Sequence, residues 1–269
     1  MTRNFLETLT RRYHAYVDTY RGADGILPKM LQLKLDHTLH VVEDARRIMA
    51  GEDWPEEMRV VGEACALLHD AGRYSQLHEF GTFQDSKSID HAARGVEVIK
   101  KESWLAELPA EEREAVLMTV TAHNKRELPA SLFQATADWA HLVRDADKLD
   151  IFRILEEAIK DGSLEENPEI AWDLQVKGAP SPNVVEAIRN GCSVSYTWIK
   201  TLSDFVLIQV GWLNGGLYFR MALQLARERG VLDFRETYMK TLSDDPGVDL
   251  CCEAARAYMN ERLGVLSNG

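Results

Sequence analysis

Apolar residues recur every three to four positions along most of the chain, the spacing that gives a helix one buried face. Residues 3–20 form the first such stretch, and the glycines at 22 and 25 end it. Between 30 and 50, Leu31, Leu35, Leu39, Val42 and Ile48 make an apolar stripe that stops at Gly51. Pro55 suits a helix start, so residues 56–71 predict a third helix running to His69-Asp70, with Gly72 as its C-terminal breaker. Residues 73–88 are polar and are expected to be irregular. Asp90 predicts a cap for a helix over 91–101. Residues 110–123 predict another, ending near Asn124, and residues 130–160 a helix in two pieces that meet near Asp138.

A polar, Pro-rich stretch follows from 162 to 182, interrupted by a short apolar patch at 170–176. Residues 184–230 read as a long helical region, broken near Gly211 and Gly215-Gly216. Trp198, Phe205, Trp212, Tyr218 and Phe219 fall there at roughly helical spacing, as core aromatics do. Helices over 233–241 and 248–263 close the chain. Neither β alternation nor an internal repeat is evident. The expected fold class is all-α, a helical bundle with additional C-terminal helices. The expected organisation is a core over 1–165 and a helical extension over 166–269 packed on it as one compact domain.

Composition narrows the partners. The chain has 269 residues, and its formal charge of −12 repels a phosphate backbone, so a nucleic-acid polymer is not an expected partner. A small anion remains admissible, because a local cationic pocket or a metal overrides the global field. There is no run of 18 apolar residues, and MTRNFLETLTRRYHAYV lacks the apolar core of a signal peptide. No membrane association and a cytoplasmic location are expected. Cys65, Cys192, Cys251 and Cys252 show no CxxC spacing and read as buried, reduced thiols.

Candidate chemistry lies in His37, the pair His69-Asp70, His91, His123 and Asp147, all at helix ends or on helix faces. Imidazole nitrogen with carboxylate oxygen suits Fe, Mn, Zn, Co or Ni, with Mg admissible. Six ligands exceed the needs of one tetrahedral site and suit two metals that share a carboxylate. An adjacent His-Asp pair can straddle a metal at the end of a helix. A lone histidine is more often a surface or capping residue, and His14, His78 and His141 are read so. His40, one turn from His37, is a candidate second-layer or substrate contact.

The ordered set resembles the HD superfamily of metal-dependent phosphohydrolases. Its first histidine matches His37 in DHTLHVVEDA, its doublet His69-Asp70 in ALLHDAGR, and its last aspartate Asp147 in RDADKLDIFR. His91 in SIDHAARGVEVI and His123 in VTAHN match the extra histidines of two-metal members. The match covers roughly residues 30–160, and GTFQD and RDADKLDIFR resemble words of a group of bacterial HD proteins. The chain lacks the GYP loop and carries TAHNKRELP in place of HHE, which sets it apart from the cyclic-di-GMP subgroup. The resemblance implies one metal on His37, His69, Asp70 and Asp147, and a second on His91 and His123 with Asp70 bridging. It implies one or two divalent ions and a metal-activated hydroxide that attacks phosphorus in line.

The implied substrate is a small phosphorylated molecule, a nucleotide among the candidates, cleaved at a phosphoester or phosphoanhydride. Asp70 and Arg73 are the expected catalytic residues. Arg73 is the first choice for phosphate because a guanidinium offers two parallel hydrogen bonds. Asn124, Lys125, Lys148 and His40 are further substrate candidates, with Arg126 beside them. The segment 74–89 is expected to select substrate through Tyr74, Gln76, His78, Thr82, Asp85 and Ser88. The same ligand order also resembles HD-type di-iron oxygenases of the myo-inositol oxygenase class. A nucleotide-binding sensor without turnover is the third reading.

Overall fold

A computed structural model describes residues 1–130, 132–174 and 177–264. Among them there is no strand. Chain packing divides the molecule into two units, Met1–Asp150 and a second from Ile151 onward. The first unit holds α1 (Arg3–Asp18), α2 (Lys29–Gly51), α3 (Glu56–Leu68), α4 (Gly72–Phe80), α5 (His91–Lys101), α6 (Ala110–Ala122) and most of α7 (Gln134–Lys160).

The first three helices form for the reasons their sequences suggest. In α1, Leu6, Leu9, Tyr13 and Val17 share one buried face, and Thr2 Oγ1 caps the start by accepting from Phe5 N at 3.2 Å. In α2 the buried stripe is Leu31, Leu35, Thr38, Val41, Val42, Ala45 and Ile48, while Leu39 turns outward at 42% exposure. Pro55 and the first-turn acids Glu56 and Glu57 start α3. Helix α3 packs on α2, α1 and α6, and α5 packs on α4 and α6.

Two expectations fail between 70 and 90. Residues 72–80 form α4, not a loop. The helix buries Tyr74 and Gln76, both 0% exposed, so its inward face is polar or amphipathic and leaves no apolar stripe to recognise. It ends at Gly81, in the left-handed region at φ 68°, whose N–H donates to Leu77 O at 2.8 Å. Gly72 does not stop a helix but begins one. A Cβ there would lie 2.2 Å from His91 O and 2.6 Å from Gly95 N, so this glycine lets α4 touch the backbone of α5. Helix α7 is continuous through Asp138 instead of two pieces.

The second unit holds the end of α7, then α8 (Pro182–Arg189), α9 (Leu202–Gly211), α10 (Arg220–Glu228), α11 (Val231–Leu242) and α12 (Pro246–Leu263). The expected long helix over 184–230 is three helices. After α9 the chain passes through a π-type turn over Trp212–Gly216, where Asn214 and Gly215 leave helical geometry. Asn214 Nδ2 donates to Ile188 O at 2.7 Å and fixes that break. Helix α12 packs on α8, α9, α10 and α11. Arg235, 1% exposed, donates to Gln209 Oε1, Val231 O and Phe152 O, with its guanidinium 4.6 Å from the Phe152 ring.

Phe205 and Phe219 are core residues as expected, but Trp198 and Tyr218 are exposed. The Val176 end of the expected apolar patch lies outside the described residues. Cys65, Cys251 and Cys252 are buried and unpaired, whereas Cys192 is exposed. Among the described residues no helix is long and apolar enough to cross a membrane.

Candidate metal centre

The first unit brings the four histidines and two aspartates together. His37 sits in α2 and Asp147 in α7. His69 and Asp70 occupy the turn between α3 and α4, His91 opens α5, and His123 directly follows α6. The four imidazoles and Asp70 are none of them more than 6% exposed. Asp147 is 24% exposed and marks the open edge.

Two triads share a carboxylate. His37, His69 and Asp70 form one and Asp70, His91 and His123 the other, each with ligand atoms within 4.8 Å of one another. Asp70 Oδ2 lies 3.6 Å from Nε2 of both His37 and His69. Its Oδ1 lies 3.5 Å from His91 Nε2 and 3.9 Å from His123 Nε2. Asp147 Oδ1 adds to the first triad, 3.1 Å from His37 Nε2 and 4.0 Å from His69 Nε2.

The outward edges of the rings decide what the inward edges carry. His69 Nδ1 is 2.7 Å from Ala66 O, and His123 Nδ1 is 2.7 Å from Val120 O. His37 Nδ1 is 2.6 Å from Asp150 Oδ2, and His91 Nδ1 is 2.6 Å from Asp85 Oδ2. Every one of these partners only accepts, so each Nδ1 carries a proton, and a ring in its neutral form presents an Nε2 lone pair. Those nitrogens face each other in pairs, His37 to His69 at 3.3 Å and His91 to His123 at 3.1 Å. Lone pairs that close repel unless positive charge lies beside them. Four imidazole nitrogens gathered round a shared carboxylate, each oriented from behind, form a donor set that could hold a metal ion.

The cluster takes positive charge wherever the chain supplies it. Lys34 Nζ donates to Asp70 Oδ2 at 2.8 Å, and Arg73 Nε to Asp70 Oδ1 at 3.3 Å. Burial and Lys34 lower the pKa of His37, but Asp147 and Asp150 outweigh both and leave it raised. Burial pushes Asp70 toward its neutral acid, yet Lys34, His69, Arg73 and His91 hold its carboxyl well below the usual range.

Burial pushes His91 and His123 down to about 4. An ordinary imidazole titrates near 6.5, where protons compete with metal. An ion held by these two rings is therefore expected to bind with unchanged affinity as pH falls from 7.5 to within about one unit of their depressed pKa, and to weaken below it. Calorimetric titration in buffers of different ionisation enthalpy reads this directly, as an absence of proton release near pH 7. Proton release of one or more equivalents from this half would contradict it.

The substrate-side candidates fall in different surroundings. Arg73 Nη1 also donates to Gln76 Oε1 at 2.9 Å, Phe83 O at 2.6 Å and Asp85 Oδ1 at 3.1 Å. Asn124 Nδ2 and Lys125 Nζ both donate to Asp90, which itself caps α5 through Ala92 N and Ala93 N. Asn124 Oδ1 is buried without a hydrogen-bond partner among the described residues. Lys148 Nζ turns back along α7 to Arg144 O at 3.3 Å, and burial lowers its pKa. His40 is half exposed, with Nδ1 3.4 Å from Asp150 Oδ1. In the segment 74–89, Tyr74 and Gln76 are buried and His78 is exposed.

Sequence reasoning missed Lys34 and Asp150. Asp150 had a signal: it sits one helical turn after Asp147 in RDADKLDIFR and so shares its face. Lys34 likewise precedes His37 by three residues on α2.

Residues 35–151 match the family model described as the HD domain. No curated protein and no solved structure matches the chain.

Proposed function

We propose that this chain, a member of the HD-domain superfamily through residues 35–151, is a metal-dependent phosphohydrolase that cleaves a phosphoester or phosphoanhydride of a small substrate. The observation that carries this reading is the shared carboxylate: each oxygen of Asp70 faces a different pair of imidazole nitrogens. In this reading His37, His69, Asp70 and Asp147 hold one divalent ion, and His91, His123 and Asp70 hold a second. Such ions acidify water to near-neutral pKa and offer positive charge to a phosphoryl oxygen.

The chain's own residues supply the rest. Lys34 and Arg73 bracket Asp70, and both lie over the Phe83 ring, 5.5 and 5.8 Å from its centroid. Arg73 has three other acceptors to hold it in place. Lys34 has Asp70 as its ion-pair partner, and its flexible stem can carry the ammonium to a phosphate oxygen. Asp147, at the exposed edge, lies on the side from which substrate enters. The four imidazoles themselves are buried.

The test is elemental analysis of the purified protein followed by anaerobic incubation with Mn²⁺ or Mg²⁺ and a panel of phosphorylated metabolites, nucleotides included. Release of inorganic phosphate from one class is the expected result. Lys34→Met is expected to lower kcat/KM by about tenfold to a hundredfold, the worth of one charge-assisted hydrogen bond, with metal content unchanged. Dioxygen uptake without phosphate release, or tight nucleotide binding at full metal loading without turnover, would overturn the proposal.

A further inference from the structure

The four imidazoles are not anchored alike. His69 and His123 donate to carbonyl oxygens three residues back in their own chain segments, and His37 donates to Asp150 on the long helix α7. Those three anchors belong to helices. His91 instead donates to Asp85, a third exposed, in the short 3-10 turn Asp85–Lys87.

That turn is fixed from α4 by one buried amide. Gln76 Nε2 donates to Asp85 Oδ1 at 2.9 Å, Ser88 Oγ at 2.9 Å and Ile89 O at 3.0 Å. Its Oε1 accepts from Arg73 Nη1 at 2.9 Å. Asp85 is thus held at both oxygens, one by Gln76 and Arg73, the other by His91. Gln76 is 0% exposed; its Nε2 serves the segment that carries Asp85, and its Oε1 holds Arg73, which itself donates to Asp85.

We infer that Gln76 and Asp85 form a clasp that sets the affinity of one half of the centre, the half lined by His91 and His123, and leaves the other half untouched. The inference rests on the binuclear reading above. Its physical basis is the ring's second nitrogen. With Asp85 in place the proton stays on Nδ1 and the ring cannot turn, so the Nε2 lone pair points at Asp70. Without it the ring rotates and changes tautomer, and its ligand atom is lost for part of the time. His37 and His69 keep their own anchors throughout. The chain therefore has distinct one-ion and two-ion states, governed by the order of residues 81–90. Gln76 and Asp85 are positioning residues in this scheme.

The test compares the full-length wild type with Gln76→Leu and Asp85→Ala, each stripped of metal and titrated with Mn²⁺ by calorimetry, with the electron paramagnetic resonance spectrum recorded at two equivalents. Gln76 contacts neither His91 nor Asp70 in the hydrogen-bond network, so its substitution leaves both residues in place. The wild type is expected to bind two ions and to show the exchange-coupled spectrum of a pair. Each variant is expected to bind the first ion with wild-type affinity and the second about 10- to 100-fold more weakly, with the pair spectrum lost. Asp85→Glu, which restores a carboxylate, is expected to recover part of that affinity. If Gln76→Leu does not fold, Asp85→Asn replaces it with the same expectation. Variants that keep both affinities, or that weaken both ions equally, overturn the clasp. A wild type that binds fewer than two ions fails earlier, and that result strikes the binuclear reading itself.

Discussion

Asp70→Ala is expected to empty both halves of the centre at once. The carboxylate is the one group common to the two triads, with Oδ2 toward His37 and His69 and Oδ1 toward His91 and His123. Removing it leaves four imidazole nitrogens facing each other with no anion among them, and it strands Lys34 and Arg73 beside the vacated position. Metal content is expected to fall from two equivalents to none, and turnover by at least about 10³-fold. Asp70→Asn gives a graded result. Its amide keeps one oxygen and replaces the other with an NH₂ that cannot ligate, so one ion at most is expected to remain. Elemental analysis after gel filtration decides both cases. A stoichiometric ion retained by Asp70→Ala would remove the shared carboxylate from the scheme.

Two glycines in contact are expected to respond to alanine with opposite signs. At Gly72 the added methyl would sit 2.2 Å from His91 O, 2.6 Å from Gly95 N and 3.0 Å from Arg94 C. All three are backbone atoms of α5, and none can yield alone. Helices α4 and α5 must part, and His91 moves away from Asp70 with them. Overpacking of this kind costs about 1–3 kcal/mol or more. The expected signature of Gly72→Ala is a thermal midpoint lower by at least about 2 °C together with loss of one ion. At Gly95, across the same contact, the nearest atom to an added Cβ is 3.4 Å away, ordinary van der Waals distance. Gly95 lies inside α5, where alanine is favoured over glycine by up to about 1 kcal/mol. Gly95→Ala is expected to hold or raise the midpoint and to keep both ions. Equal destabilisation by the two substitutions would mean that the α4–α5 approach is not what Gly72 serves.

Much of this was legible in the chain and some was not, for reasons that differ by residue. The all-helical class follows from apolar spacing in α1, α2 and α12, where burial and hydrophobicity coincide. Helix α4 escaped because its buried residues are Tyr74 and Gln76, and a pattern of apolar positions carries no trace of a buried amide. Gly72 was visible as a glycine, but its purpose depends on a backbone 19 positions away in sequence, His91 O. The meeting of His37, His69, Asp70, His91, His123 and Asp147 was anticipated from the ordered words that carry them. Their orienting partners were not: Asp150 and His37 are 113 residues apart, and the local cue, Asp150 one helical turn after Asp147, gives a shared face but not the pairing. Asn124 and Lys125 were read as substrate contacts from their place beside His123, whereas their side chains turn to Asp90 at the start of α5.

The position of the candidate centre in the fold would couple any ion it holds to the stability of the chain. His69 lies just past the end of α3, His91 is the first residue of α5 and His123 just past the end of α6, so three of the ligand positions are helix termini. Helix termini are where native chains open first. An ion gripped from all three would act as a rivet, and its binding energy would add to that of folding. A cell short of metal would then lose more than the activity of this protein: the unriveted chain would open more often, meet proteases more often and decline in amount.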